Sequence, residues 1–135
     1  MVTYFTKDAA IHANKIATST YSQEHVVQQE ANLDYILARV ETYAEDSKSD
    51  KEKVLRKTAY LLRYLAYQGH IFTDGNKRTA FALSRAFLEL NGYTMSAGDE
   101  KDQKARARMM KEIAEGRHSL SHVFKWLGKS VERKI

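Results

Sequence analysis

The 135-residue chain has no cysteine and no proline, a single tryptophan and only six glycines. The lack of cysteine rules out disulfides and thiolate metal sites, fits a reducing compartment, and leaves histidine and carboxylates as the only strong metal ligands. The lack of proline leaves helical patterns uninterrupted. No repeat recurs at a 20–50-residue period, so solenoids and propellers are unsupported. No apolar run approaches the roughly 18–20 residues that span a bilayer, and the N-terminus lacks the basic-then-apolar layout of a secretory signal. The expectation is a cytoplasmic protein without a membrane segment. What is present, 43% hydrophobic and 29% charged residues, is the composition of a chain that folds. Its length suits one domain over residues 1–135, burying roughly two-thirds of its unfolded surface.

The formal net charge of +5 is uneven: residues 101–135 carry +6 and residues 1–100 carry −1. A basic end can bind nucleic acid or an acidic protein, but most such runs are solvated helix faces, which is the reading preferred here.

Apolar residues recur with a helical period. A first helix is expected from a Thr6 cap through Ala9, Ala10, Ala13, Ile16 and Ala17. A second starts near Asn32 and aligns Leu33, Ile36, Leu37 and Val40. After the polar connector EDSKSDK, Ser49 and Glu52 form a capping-box pattern opening a third helix, apolar over a wide arc from Val54 to Ala66. Gly69 is expected to end it in the left-handed conformation. A fourth helix begins near Asn76, carries Ala80, Phe81, Leu83, Phe87 and Leu88, and stops at Asn91-Gly92. A short extended piece at Tyr93–Met95 precedes a charged fifth helix with Met109, Met110 and Ile113, closed by Gly116. A last helix, capped by Ser119 or Ser121, aligns Val123, Phe124, Leu127 and Val131. The pattern is an all-α bundle of about six helices.

Between the two central helices stands HIFTDGNKR, residues 70–78. Chain reversal needs only a few polar residues and a glycine, so this loop is richer in reactive groups than a connection requires. A helix starting at Asn76 leaves its first N–H groups unpaired and partly positive, an anion site by construction. Lys77 and Arg78 oppose the helix dipole there, which a shared bound anion explains better than helix stability does. Gly75 allows close backbone approach, and Asn76 can cap the helix or donate its amide to an oxygen. Asp74 beside a phosphate pocket suits Mg²⁺, which takes one or two carboxylates plus substrate phosphates. His70 can accept a proton from an attacking hydroxyl, and Phe72 is the buried anchor. Singly, each residue has a structural explanation; together within nine positions they describe a phosphoryl- or nucleotidyl-transfer site. A P-loop does not fit, since five residues separate Gly69 from Gly75, Asn76 precedes Lys77, and a helix rather than a strand comes before.

This loop resembles the signature of the Fic superfamily, and most closely that of its Doc branch, the toxins of toxin–antitoxin pairs. That signature reads His-x-Phe-x-Asp/Glu-Gly/Ala-Asn-Gly/Lys-Arg, and every position is matched here. The resemblance implies an all-α Fic/Doc-type bundle with the loop between its central helices. It assigns His70 as the base, Asp74 as the Mg²⁺ ligand, Gly75, Asn76, Lys77 and Arg78 to the nucleotide phosphates, and Phe72 as the anchor. Members that transfer AMP usually have Pro after the histidine, Gly after the asparagine and a second Arg three residues past the first; here stand Ile71, Lys77 and Phe81. That is the Doc pattern, which implies transfer of the γ-phosphoryl group of ATP to a Thr or Ser of a target protein, elongation factor Tu in the type case. AMP transfer is the second enzyme reading. The inhibitory helix of many Fic proteins, Ser/Thr-x-x-x-Glu-Gly/Asn, is absent: Glu115-Gly116 is preceded four residues earlier by Lys111. The resemblance therefore implies an antitoxin encoded separately. A basic helical nucleic-acid-binding module is the rival from another class, without helix-turn-helix spacing or an aromatic platform to support it.

Three further groups carry structural readings. His118 and His122, four apart, have no third ligand nearby and are read as ordinary surface or core histidines. Met109 and Met110 should give one core and one semi-exposed residue, and Trp126 a partly exposed ring. Tyr60, Tyr64 and Tyr67 could stack on a base, but packing is the preferred reading.

Overall fold

The helices begin where side chains can cap them. Thr6 Oγ1 accepts the Ala9 N–H at 3.1 Å, Ser49 Oγ that of Glu52 and Ser119 Oγ that of His122. In the computed structural model, which describes residues 1–96 and 98–134, these caps open α1 (Lys7–Ser19), α3 (Asp50–Arg63) and α6 (Leu120–Ser130). The Glu52 carboxylate reaches past Ser49 to the N–H of Lys48, so the reciprocal capping box lies elsewhere, at Asp99 and Asp102, opening α5 (Glu100–Ala114). The remaining helices are α2 (Glu30–Thr42), beginning two residues before the expected Asn32, and α4 (Asn76–Leu90).

The fold is a helical domain with one two-stranded ribbon. Strand β1 (Tyr93–Met95) pairs antiparallel with β2 (Val131–Arg133), placing Met95 opposite Val131. The expected last helix thus stops one residue short. A β-branched valine buries its side chain equally well in a strand, and here it joins the C-terminal end to the middle of the chain. Helices α3 and α4 form the central pair: α3 also meets α2 and α6, and α4 meets α1, α5 and β1. Leu33, Ile36, Leu61, Leu62, Phe87 and Ile113 are fully buried between them, as the apolar arcs require. Among the described residues, no helix is long and apolar enough to cross a membrane.

The end of α3 differs from expectation in a way that matters for the loop. A π-helical turn, Tyr64–Gln68, follows α3, and the Gly69 N–H closes it on Tyr64 O at 2.8 Å. Such turns insert one residue into a helix and recur at functional sites. Gly69 is right-handed, at φ −75°. Its missing side chain makes room, because a Cβ would lie 3.0 Å from the Tyr64 ring and 3.2 Å from Ile71. The left-handed residue is His70, at φ 44°.

Candidate active site

The loop from His70 to Gly75 is held by its own apolar residues and by a segment from far earlier in the chain. Ile71 and Phe72 are buried, so the anchoring role expected of Phe72 has its physical basis. Phe72 forms an antiparallel bridge with Val27, and residues 26–29 run beside the loop. The Thr73 N–H donates to Val26 O at 3.0 Å, and the N–H groups of Gln28 and Gln29 donate to Ile71 O at 2.8 and 3.0 Å. The Gln28 amide also donates to His70 O at 3.1 Å. These bonds hold His70 in a backbone conformation that costs a non-glycine residue about 1–2 kcal/mol, the kind of strain that collects at active sites. The His70 side chain is exposed, and its ring makes no hydrogen bond among the described residues.

Asp74 is half-buried. Its Oδ2 accepts the Glu24 N–H at 3.1 Å, and its main-chain oxygen accepts from Asn14 Nδ2 at 2.8 Å. Gly75 then sits at φ 76° as the residue before α4, and no side chain caps the helix. A Cβ on Gly75 would lie 3.0 Å from Thr18 Cγ2 and 3.3 Å from Asn14 Nδ2. Handedness and the close approach of α1 therefore both favour glycine here.

Asn76 is also placed differently from expectation. Its Oδ1 accepts the Phe72 N–H at 3.1 Å and its Nδ2 donates to Phe72 O at 2.7 Å, closing the loop on itself. The first intrahelical bond of α4 runs from Thr79 N–H to Gly75 O, so the N–H groups of residues 76–78 stand at an open, partly positive helix end. Lys77 is exposed beside them. Arg78 donates to Gln23 Oε1 and lies 3.8 Å over the Tyr21 ring, while its Nε is buried with no acceptor among the described residues. A buried guanidinium N–H without a partner is costly, and an anion at the helix end would supply the acceptor.

Several site residues escaped sequence reasoning. Asn14 is fully buried on α1 and joins three segments: its amide donates to Asp74 O and to Thr79 Oγ1 at 3.1 Å, and its oxygen faces His25 Nδ1 at 2.8 Å. Both amide protons being spent, His25 must donate, which fixes its proton on Nδ1. The one signal in the sequence was a polar residue on the buried stripe Ala10, Asn14, Thr18. Gln23, Glu24 and Gln28 gave none, lying in a segment without periodicity.

The other groups are structural. His118 Nε2 lies 2.8 Å from Glu112 Oε1 and its Nδ1 2.8 Å from His122 Nδ1; the hydrogen bond from His118 holds the Glu112 carboxyl below its ordinary range. Tyr60 stacks on Tyr43 at 4.1 Å, Tyr64 packs near Tyr35, and Tyr67 lies under Arg63. Met110 is buried, Met109 and Trp126 half-buried.

Comparison with known proteins agrees with this geometry. Residues 4–88 match the model of the Fic/DOC family, a segment that holds α1, α2, α3, the whole loop and all but the last two residues of α4. The chain is also 32% identical over 116 residues to Toxin Doc of Mycolicibacterium smegmatis, covering 84% of this chain and 82% of that protein. With the family match spanning most of the chain and the loop built as described, this protein belongs to the Fic/DOC family, in its Doc branch.

Proposed function

We propose that this protein is a Doc-like toxin that phosphorylates a Ser or Thr hydroxyl of a target protein, using ATP and Mg²⁺. A translation factor such as elongation factor Tu is the target class suggested by the resemblance, and a separately encoded antitoxin is the expected restraint. The reading rests above all on the start of α4, where three open N–H groups meet Lys77 and the partnerless Nε of Arg78, with Asp74 and an exposed His70 on the same loop. This end of the helix favours a phosphate, and His70 is free to act on a hydroxyl brought beside it.

In the proposed reaction His70 takes the proton of the target hydroxyl, whose oxygen forms a bond to the terminal phosphorus of ATP. The bond from that phosphorus to its bridging oxygen breaks, and ADP leaves with the electron pair. Backbone N–H groups at residues 76–78, with Lys77 and Arg78, stabilise the charge on the phosphoryl oxygens. Asp74 fits the metal: one carboxylate, tied to the Glu24 N–H through a single oxygen, stands beside an anion site, the donor set Mg²⁺ shares with substrate phosphates. Bound there, Mg²⁺ would neutralise phosphate charge. Asn76 and Phe72 act by holding the loop.

The test is incubation of the purified protein with a translation extract and ATP labelled separately at the α and γ phosphates. Label reaching a protein only from the γ position is the expected result. Label arriving from the α position would overturn the kinase reading and establish AMP transfer.

A further inference from the structure

His70 is bounded by two peptide planes, one carrying the Gly69 carbonyl and the other its own. Each plane is rigid, so their relation fixes φ and ψ of His70 and hence the direction of its Cα–Cβ bond. A separate side-chain amide holds each plane. Asn32 Nδ2 donates to Gly69 O at 2.7 Å, and Gln28 Nε2 donates to His70 O at 3.1 Å. The Gln28 oxygen in turn accepts from Thr73 Oγ1 at 3.3 Å. The next carbonyl along, Ile71 O, takes the backbone N–H groups of residues 28 and 29. Asn32 is half-buried and Gln28 exposed, so the Asn32 bond is the better shielded from water.

Helix stability does not account for these amides. Asn32 stands in the first turn of α2, where asparagine is a poor helix former, and α2 begins at Gln29 with no side-chain cap, as α4 begins at Gly75 with none. The other four helices each have one. The amides of Gln28 and Asn32, beside the start of α2, and of Asn76, the first residue of α4, bond the main chain of residues 69–72 instead. A general base is ordinarily aimed by a hydrogen bond to its second ring nitrogen, and the His70 ring has none among the described residues. Its aim therefore has to come from the backbone, which stands at φ 44°, a conformation a histidine leaves unless it is held.

We infer that Gln28 and Asn32 are positioning residues for His70: each pins one of the two peptide planes that flank it, and together they aim the imidazole without touching the ring. The inference rests on His70 acting as the base, and it holds for transfer of a phosphoryl group or of AMP alike. With both pins removed, His70 relaxes to a negative φ and its Cβ swings. A proton acceptor displaced by about 1 Å loses up to about 100-fold in rate. The helix end at residues 76–78 keeps its geometry, because Asn76 still closes the loop on Phe72.

The test uses the uncharged, similarly shaped variants Gln28→Met and Asn32→Leu and the two combined, which remove the amide donors and leave the backbone bonds of residues 28 and 29 in place. Transfer from labelled ATP and the NMR signals of the His70 backbone are both read, with thermal melts as the check on folding. A positive φ brings a residue's amide proton close to its own Hα, so wild-type His70 should give a strong intraresidue cross-peak between them. The expected result is a weaker cross-peak in the double variant and a kcat at least tenfold lower, with KM for ATP unchanged and partial recovery in Asn32→Gln, which keeps a donor. A purely structural role would lower the melting temperature without that split between kcat and KM. Unchanged kcat in the folded double variant would overturn the inference, as would a His70 cross-peak that the double variant leaves as it was. If Asn32→Leu prevents folding, Gln28→Met, at an exposed site, carries the test by the same readings. The NMR reading needs no target protein. If the variants release the His70 backbone while the wild type transfers no label, the clamp stands and the role of His70 as a base in transfer falls.

Discussion

A buried asparagine must find partners for two amide protons and an oxygen, and Asn14 finds them on the loop, on α4 and on the segment after α1. Truncating it strands the Asp74 carbonyl, the Thr79 hydroxyl and the His25 N–H near the base of the site. Asn14→Ala should therefore cost about 1–3 kcal/mol in urea denaturation. A loss below about 0.5 kcal/mol, within the range of an ordinary surface change, would contradict this role. His70, Phe72, Asp74, Gly75, Asn76, Lys77 and Arg78 could be proposed together from nine consecutive residues, since the chemistry that groups them is local. Their individual reasons were less legible. Gly75 answers to Thr18 and Asn14 on α1, and the side chain of Asn76 to Phe72, and neither contact leaves a mark in the loop's own sequence.

The helices followed from period and caps because each buries one face and four of them start at a Ser, Thr or Asp, α2 and α4 being preceded by Gln29 and Gly75 instead. The π-helical turn did not, since YLAYQ is equally compatible with an ordinary α-helix. That turn moved the left-handed residue from Gly69 to His70. Lys57 is a second case. It sits on the apolar arc of α3 with its side chain fully buried, donates to Val40 O at 2.7 Å and Glu41 O at 3.2 Å, and pairs with Glu45 at 3.1 Å. Its ammonium thus satisfies carbonyls at the end of α2, the cationic complement a helix C-terminus favours. Hydrogen bonding to Lys57 holds the Glu45 carboxyl below its ordinary range. A lowered folded pKa contributes stability that is present above the ordinary carboxylate range and lost as pH falls through the folded value. Thermal melts from pH 7 down to pH 3 should show the wild type losing more stability than Glu45→Gln does over the same range. Equal losses would contradict the coupling.

At the scale of the molecule, the uneven charge acquires a location. The C-terminal excess of +6 includes Arg106, which α5 brings to a cleft beside Lys77 and Arg78, while Arg117 and Lys104 pair with Glu115 and Glu100 on the surface. The β1–β2 ribbon fixes Met95 in that cleft from the far end of the chain. Pairing across so long a separation has no local signature, whereas the central α3–α4 pair announced itself by its wide apolar arcs. The molecule is thus a helical frame that carries one strained, exposed histidine on the loop before an open helix end, with a basic cleft alongside. The most direct measurement of that account compares γ-phosphoryl transfer and ADP binding in the wild type and in His70→Ala. Transfer lower by roughly 10²–10⁴-fold with ADP affinity unchanged is the expected result for loss of a general base. Undiminished transfer in His70→Ala would contradict it.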